Sequence, residues 1–130
     1  MLEEDLYNNV GVMIDLAEIM LEHKHGLNDM QADAVQTIHR RSIDFIETFI
    51  RKWHKNGEVF CSYLNHDALS PITVIIGYAE VMLQGMMGGL NEPYLEAMQQ
   101  LRDYAVDTKA ILDEMQYYVM AGLRNVGLRT

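Results

Sequence analysis

The chain has 130 residues, 49% of them hydrophobic, with 10 Lys and Arg against 19 Asp and Glu for a formal charge of −9. That length fits one domain able to bury a core without disulfides or metal, and the hydrophobic content excludes a disordered chain. The acidic balance repels phosphate backbones and anionic lipid, so neither nucleic acid nor a membrane is expected as a partner.

Only Pro71 and Pro93 occur, and glycines gather at Gly26, Gly57, Gly88-Gly89 and the tail. Long periodic segments lie between these breaks, without the alternation of hairpin strands, which predicts four helices. The first ends near His23, Lys24 and His25, and the second at "RKWHK", residues 51–55. Basic residues at such positions complement the helix dipole. The third helix is expected from about Glu58 to Gln84, with a seam of Leu69, Ile72, Ile76, Ala79 and Leu83. "GMMGGLN" then turns the chain. The fourth carries Met98, Leu101, Ala105, Thr108, Leu112, Met115 and Val119 at spacings of three and four, a heptad seam. Asn91 is its expected N-cap, Glu92 and Pro93 fit its first turn, and Gly122 is its expected stop.

The first half repeats this plan. "VGVMIDLAEIMLE" (10–22) aligns with "ITVIIGYAEVMLQ" (72–84) at an offset of 62, with six identities in thirteen positions. Past the turn the offset is 63: "GLN" at 26–28 matches "GLN" at 89–91, and the fourth seam maps onto Val35, Ile38, Ser42, Phe45 and Phe49. An internal duplication is implied, with a first hairpin over 1–55 and a second over 58–122 in one domain. One hairpin cannot cover its own apolar stripe, but two can. The expected fold is therefore all-α: an antiparallel four-helix bundle of two tandem hairpins closed within one chain. The competing fold is one long helix through residues 30–84, with closure by dimerisation; Asn56-Gly57 argues against it.

The chemistry-bearing stretch is "LNHDALSPITVIIGYAEVML", residues 64–83. A proline inside a helix deletes a hydrogen bond and costs about 3 kcal/mol, yet Pro71 stands five residues after His66. On a continuous helix His66 flanks the seam, and Asp67 and Ser70 lie within one turn of it. An exposed neutral imidazole is a competent nucleophile, and a carboxylate beside it orients the ring or takes its proton.

His66, Asp67, Ser70, Pro71 and the run Ile75-Ile76-Gly77-Tyr78-Ala79-Glu80 resemble the phosphoacceptor helix of sensor histidine kinases, in their dimerisation and histidine-phosphotransfer (HisKA) domain. The resemblance covers residues from about 58 to 120. It implies a helical hairpin that forms a four-helix bundle, with His66 accepting the phosphoryl group and Asp67 acting as base or orienter. Ser70 would occupy the position of the family's dephosphorylation residue, and Pro71 would kink the helix. It also implies a response-regulator receiver domain or a histidine kinase as partner, and suggests that Arg51, Lys52 and Lys55 attract an acidic receiver surface.

Three departures shape the expected function. Where the family carries Arg or Lys between the acid and the hydroxyl, this chain has Ala68 and Leu69. The first repeat has Glu4, Asp5, Asn8 and Asn9 in place of His66, Asp67, Ser70 and Pro71, so it is expected to be degenerate scaffold. The hairpin is followed by "GLRNVGLRT" and not by an ATP-binding domain, so autokinase activity is not expected, and the protein is at most a phosphotransferase. The leading expectation is a phosphotransfer protein of two-component signalling; the alternative is a non-catalytic scaffold binding a signalling partner through its helical faces. A fragment of a longer kinase is a third reading, against which Met1 and the duplicated build argue.

No cofactor or metal is expected. His23 and His25 stand at alternate positions that do not face each other on a helix. Cys61, the lone cysteine, precedes His66 by five residues, where a Cys-His pair wants three or four; it forms no internal disulfide, which fits a reducing cytoplasm. No apolar run approaches the ~18 residues of a membrane span, and the acidic "MLEEDLYNN" is unlike an export signal. A cytoplasmic monomer is expected, with a homodimer as the alternative. The ten methionines are assigned to the core and the seven tyrosines to helix boundaries.

Overall fold

The computed structural model describes residues 2–55 and 57–121. Five α-helices run in order: α1 (Leu2–Glu22), α2 (Asp29–Trp53), α3 (Gly57–His66), α4 (Leu69–Leu83) and α5 (Tyr94–Met120), with a short 3-10 turn at Lys24–Gly26. No strand occurs among the described residues. No helix among them is long and apolar enough to cross a membrane.

Each of the four long helices packs on two others: α1 on α2 and α5, and α4 on α5 and α2. The Tyr7 ring meets Phe49 edge-on at 5.9 Å, while Glu18 Oε2 lies 3.1 Å from His39 Nε2, joining α1 to α2. Thr108 Oγ1 lies 3.9 Å from Met13 Sδ between α5 and α1, and Arg102 lies 3.9 Å from Glu80 between α5 and α4.

The core repeats in the registers of the two sequence halves. Leu6, Val10, Met13, Ala17 and Met20 are buried on α1. Adding 62 to each gives Ala68, Ile72, Ile75, Ala79 and Met82, all buried. On α5 the buried set is Met98, Leu101, Ala105, Thr108, Leu112 and Met115. Subtracting 63 gives Val35, Ile38, Ser42, Phe45 and Phe49, all buried on α2, and then Lys52, half-buried. Burial of an apolar stripe is the dominant favourable term in folding, so matched stripes mark matched roles. The Ser42 and Thr108 hydroxyls inside this core are satisfied locally: Ser42 Oγ donates to the Ile38 carbonyl at 2.8 Å and Thr108 Oγ1 to the Tyr104 carbonyl at 2.8 Å.

Several expectations require correction. The third helix is not continuous from 58 to 84, because the chain breaks at Asp67-Ala68 between α3 and α4. Three of its five seam positions are displaced by one residue: Ile72 and Ala79 are core as expected, but Ala68, Ile75 and Met82 join them. Leu69, Ile76 and Leu83 are half-buried flanks. A helix as uniformly apolar as α4 offers two adjacent stripes of the right period, and the packing of its neighbours selects one. The single long helix through 30–84 does not form, since α2 ends at Trp53 and α3 starts at Gly57. The side chain of Asn91 does not cap α5; Pro93 holds the N-cap position, after a cis Glu92-Pro93 peptide. The methionines divide, with Met13, Met20, Met82, Met98 and Met115 buried but Met30, Met86 and Met120 exposed, and Tyr63 is a core residue. Gly122 and Asn56 lie outside the described residues.

Asn28 begins α2 with a capping box: Gln31 N donates to Asn28 Oδ1 at 2.7 Å, and Asn28 N to Gln31 Oε1 at 2.9 Å. The same two side chains reach the turn between α4 and α5. Asn28 Nδ2 donates to the Met87 carbonyl at 2.7 Å, and Gln31 Nε2 to the Gly88 and Gly89 carbonyls at 3.0 and 3.1 Å. A turn from the first half thus clamps the equivalent turn of the second.

Gly88 has φ +102°, and a Cβ there would stand 2.7 Å from Asn28 Nδ2; Gly85 has φ +79° but open space around it. Both positions disfavour a side chain through the backbone, and only Gly88 adds a clash with the clamp. Gly85→Ala is expected to cost about 1 kcal/mol and Gly88→Ala distinctly more, as read by urea unfolding of the two variants.

Candidate functional site

The His66 region is shaped by where helical hydrogen bonding lapses. Asp67 N and Ala68 N both donate to the Tyr63 carbonyl at 2.9 Å. The second bond spans five residues, so the turn widens and α3 stops at His66. Ala68 keeps helical dihedrals, with φ −66° and ψ −37°, and plugs the break with a methyl group that is 1% exposed. The chain therefore passes from α3 into α4 without leaving the core.

Pro71 is the third residue of α4. A first-turn amide has no intrahelical acceptor, so a proline there forfeits no bond. The cost expected for a helix-interior proline does not arise. Its ring falls in the turn just past the break, where it disfavours the α3 ladder continuing into α4.

His66 is exposed as the last residue of α3, Asp67 is exposed in the break, and Ser70 is exposed as the second residue of α4. α5 secures the approach to the histidine: Gln116 Nε2 donates to the Leu64 carbonyl at 3.3 Å and to Asn65 Oδ1 at 3.2 Å. The ring is exposed, and α5 holds the Leu64 carbonyl and the Asn65 side chain just before it.

The three expected site residues are all exposed, and Asp67 alone of them lines the grooves that face α2. Asp67 lines two adjoining grooves of about 230 and 290 Å³, together with Lys52 of α2 and Tyr63 of α3. The first groove also holds Asp44, Phe45, Thr48 and Pro71; the second holds Glu58, Val59 and Ser62. His66 and Ser70 line neither. The spacing of 63, 67 and 71 puts one stripe toward α2, and Asp67 belongs to that stripe. Of the basic trio at the end of α2, Lys52 is half-buried beside the grooves, whereas Arg51 and Lys55 are exposed.

Tyr63 is the residue that sequence reasoning passed over. It is 4% exposed, its ring packs on Phe49 and Phe60 at centroid distances of 6.2 and 6.4 Å, and its buried hydroxyl has no hydrogen-bond partner among the described residues. Burial pushes its phenol well above the ordinary tyrosine value; the Asp67 charge adds to the rise and Arg51 opposes it. The available signal was its place four residues before Asp67. Elsewhere, the His23 and His25 rings lie 6.5 Å apart. No cluster of three or more His, Cys, Asp or Glu suited to a metal occurs among the described residues.

The chain matches no protein-family model, and neither a curated protein nor a solved structure matches it.

This geometry sets two expected outcomes. Pro71→Ala restores an amide that can reach the Asp67 carbonyl, so α3 and α4 should fuse into one helix; backbone chemical shifts of residues 66–70 moving toward helical values would register it, with stability changed by less than about 1 kcal/mol. The second concerns alkaline pH. An unfolded tyrosine ionises near 10.0, whereas folded Tyr63 holds its proton to higher pH. The unfolded state therefore releases the proton first, and folding stability declines as pH rises through that window. Tyr63→Phe should be as stable as the parent or more so at neutral pH, since it deletes an unpartnered buried hydroxyl. Its advantage should grow between about pH 9 and 11 in urea titrations.

Proposed function

We propose that the chain is an antiparallel four-helix bundle of two duplicated hairpins, a histidine-kinase-like pseudo-dimer in one polypeptide, and that it relays phosphoryl groups through His66. The exposed imidazole at the end of α3, directly before the helix break, carries the reading. The equal burial registers at offsets of 62 and 63 support the duplicated architecture. In this reading the first hairpin is scaffold, because Glu4 and Asp5 stand where the second has His66 and Asp67.

The chemistry is a direct transfer. The unprotonated ring nitrogen of His66 attacks the phosphorus of an aspartyl phosphate on a receiver domain, or of a phosphohistidine on a kinase. The P–N bond forms as the bond to the donor breaks, and the departing electron pair stays with the donor. The ring becomes cationic, and Asp67 or water takes the proton from its other nitrogen. Reversal onto a receiver aspartate completes the relay. Ala68 and Leu69 offer no cation beside His66, so charge on the moving group would have to be met by the partner, for example by a metal ion held there.

A second reading has its own support: Asp67 lies along grooves that His66 does not line. A scaffold that binds a signalling partner through its helical faces without chemistry would tolerate that separation. Incubation with phosphorylated receiver domains and with kinases distinguishes the two. Acid-labile label on the protein, abolished by His66→Ala, is the outcome expected for the relay. Persistent binding with no label from any donor would establish the scaffold instead.

A further inference from the structure

We infer that the groove between α2 and the α3–α4 break is a receptor for a single arginine side chain of a partner protein. The inference does not depend on phosphotransfer by His66. At about 230 Å³ the groove is smaller than the roughly 300–1,000 Å³ of pockets that enclose whole small molecules. Its size suits one side chain delivered from a larger body.

The lining has the chemistry of a guanidinium site. Phe45, Tyr63 and Pro71 form apolar walls against which a planar cation and its alkyl stem can lie. Asp44 from α2 and Asp67 from the break bring two carboxylates to the same opening, against one ammonium from Lys52. The adjoining groove adds Glu58. This excess favours a cation over an anion, and the chain's charge of −9 assists its approach. Lys52 stands in the register of buried Met115 in the other half. Its half-buried stem can therefore form part of the wall.

An independent observation marks the same place. The Tyr63 hydroxyl belongs to a residue lining both grooves, is buried, and lacks a partner among the described residues. Such a group carries a desolvation penalty that a hydrogen bond would relieve. The phenol oxygen keeps lone pairs that can accept a hydrogen bond. Arginine presents five N–H donors in a rigid fork, enough to engage two carboxylates and a phenol oxygen together; the lysine ammonium is a compact point charge without a stacking plane.

The test uses the isotope-labelled full chain and three capped tripeptides, Gly-Arg-Gly, Gly-Lys-Gly and Gly-citrulline-Gly. Saturable amide shifts at Asp44, Thr48, Tyr63 and Asp67 are expected with the arginine peptide and not with citrulline, its neutral isostere. Asp44→Asn, at an exposed position, should weaken binding about tenfold. Tyr63→Phe should weaken it by a smaller factor while the melting temperature holds. Absence of saturation up to about tens of millimolar peptide would overturn the proposal. So would equal binding of the lysine peptide that Asp44→Asn leaves unchanged, which is general attraction to an acidic surface.

Discussion

Each half of this chain makes helices with an apolar stripe that the half cannot bury by itself. The stripe of α1 recurs on α4 and that of α2 recurs on α5 at fixed offsets, and all four converge on one core. Mutual cover is the constraint on which the remaining features depend. It fixes the rotation of every helix, and thereby the residues left facing outward. It also explains why the two inter-helix turns lie together, where Asn28 and Gln31 can bridge them. Those amides satisfy carbonyls that a tight glycine turn leaves without helical donors.

The break at Asp67-Ala68 reconciles a proline with this packing. If α3 and α4 were one helix, Pro71 would remove an interior hydrogen bond. Because the Tyr63 carbonyl accepts from both Asp67 and Ala68, a new helix starts at Leu69 and the proline falls in its first turn. His66 ends one helix in solvent, while Asp67 joins Tyr63 and Pro71 along the α2 side.

Electrostatics divides along the same line. The last turn of α2 carries Arg51 and Lys52, complementing its own dipole. Asp44, Glu58 and Asp67 surround Lys52 on the groove side. Tyr63 lies beneath these charges, responding to Asp67 and Arg51 together. The proposed phosphotransfer centres on the exposed imidazole, whereas the proposed arginine site uses the acidic groove.

Much of the fold was legible in the residues. Three-and-four spacing dictates helices because apolar side chains must share one face, and the six α5 positions from Met98 to Met115 are buried in that pattern. The repeated letters of 10–22 and 72–84 point to a repeated core, although of the identical pairs only Ala17/Ala79 and Met20/Met82 are buried. Tertiary packing alone decided the rest. It selected Ile75 and Met82 over Ile76 and Leu83, since α4 is apolar on both stripes and only neighbouring helices distinguish them. It ended α3 at His66, because a backbone carbonyl's choice of donors is not written in side-chain spacing. It also brought Lys52, Asp44 and Asp67 around Tyr63, since contacts between separate helices depend on how those helices are rotated against each other.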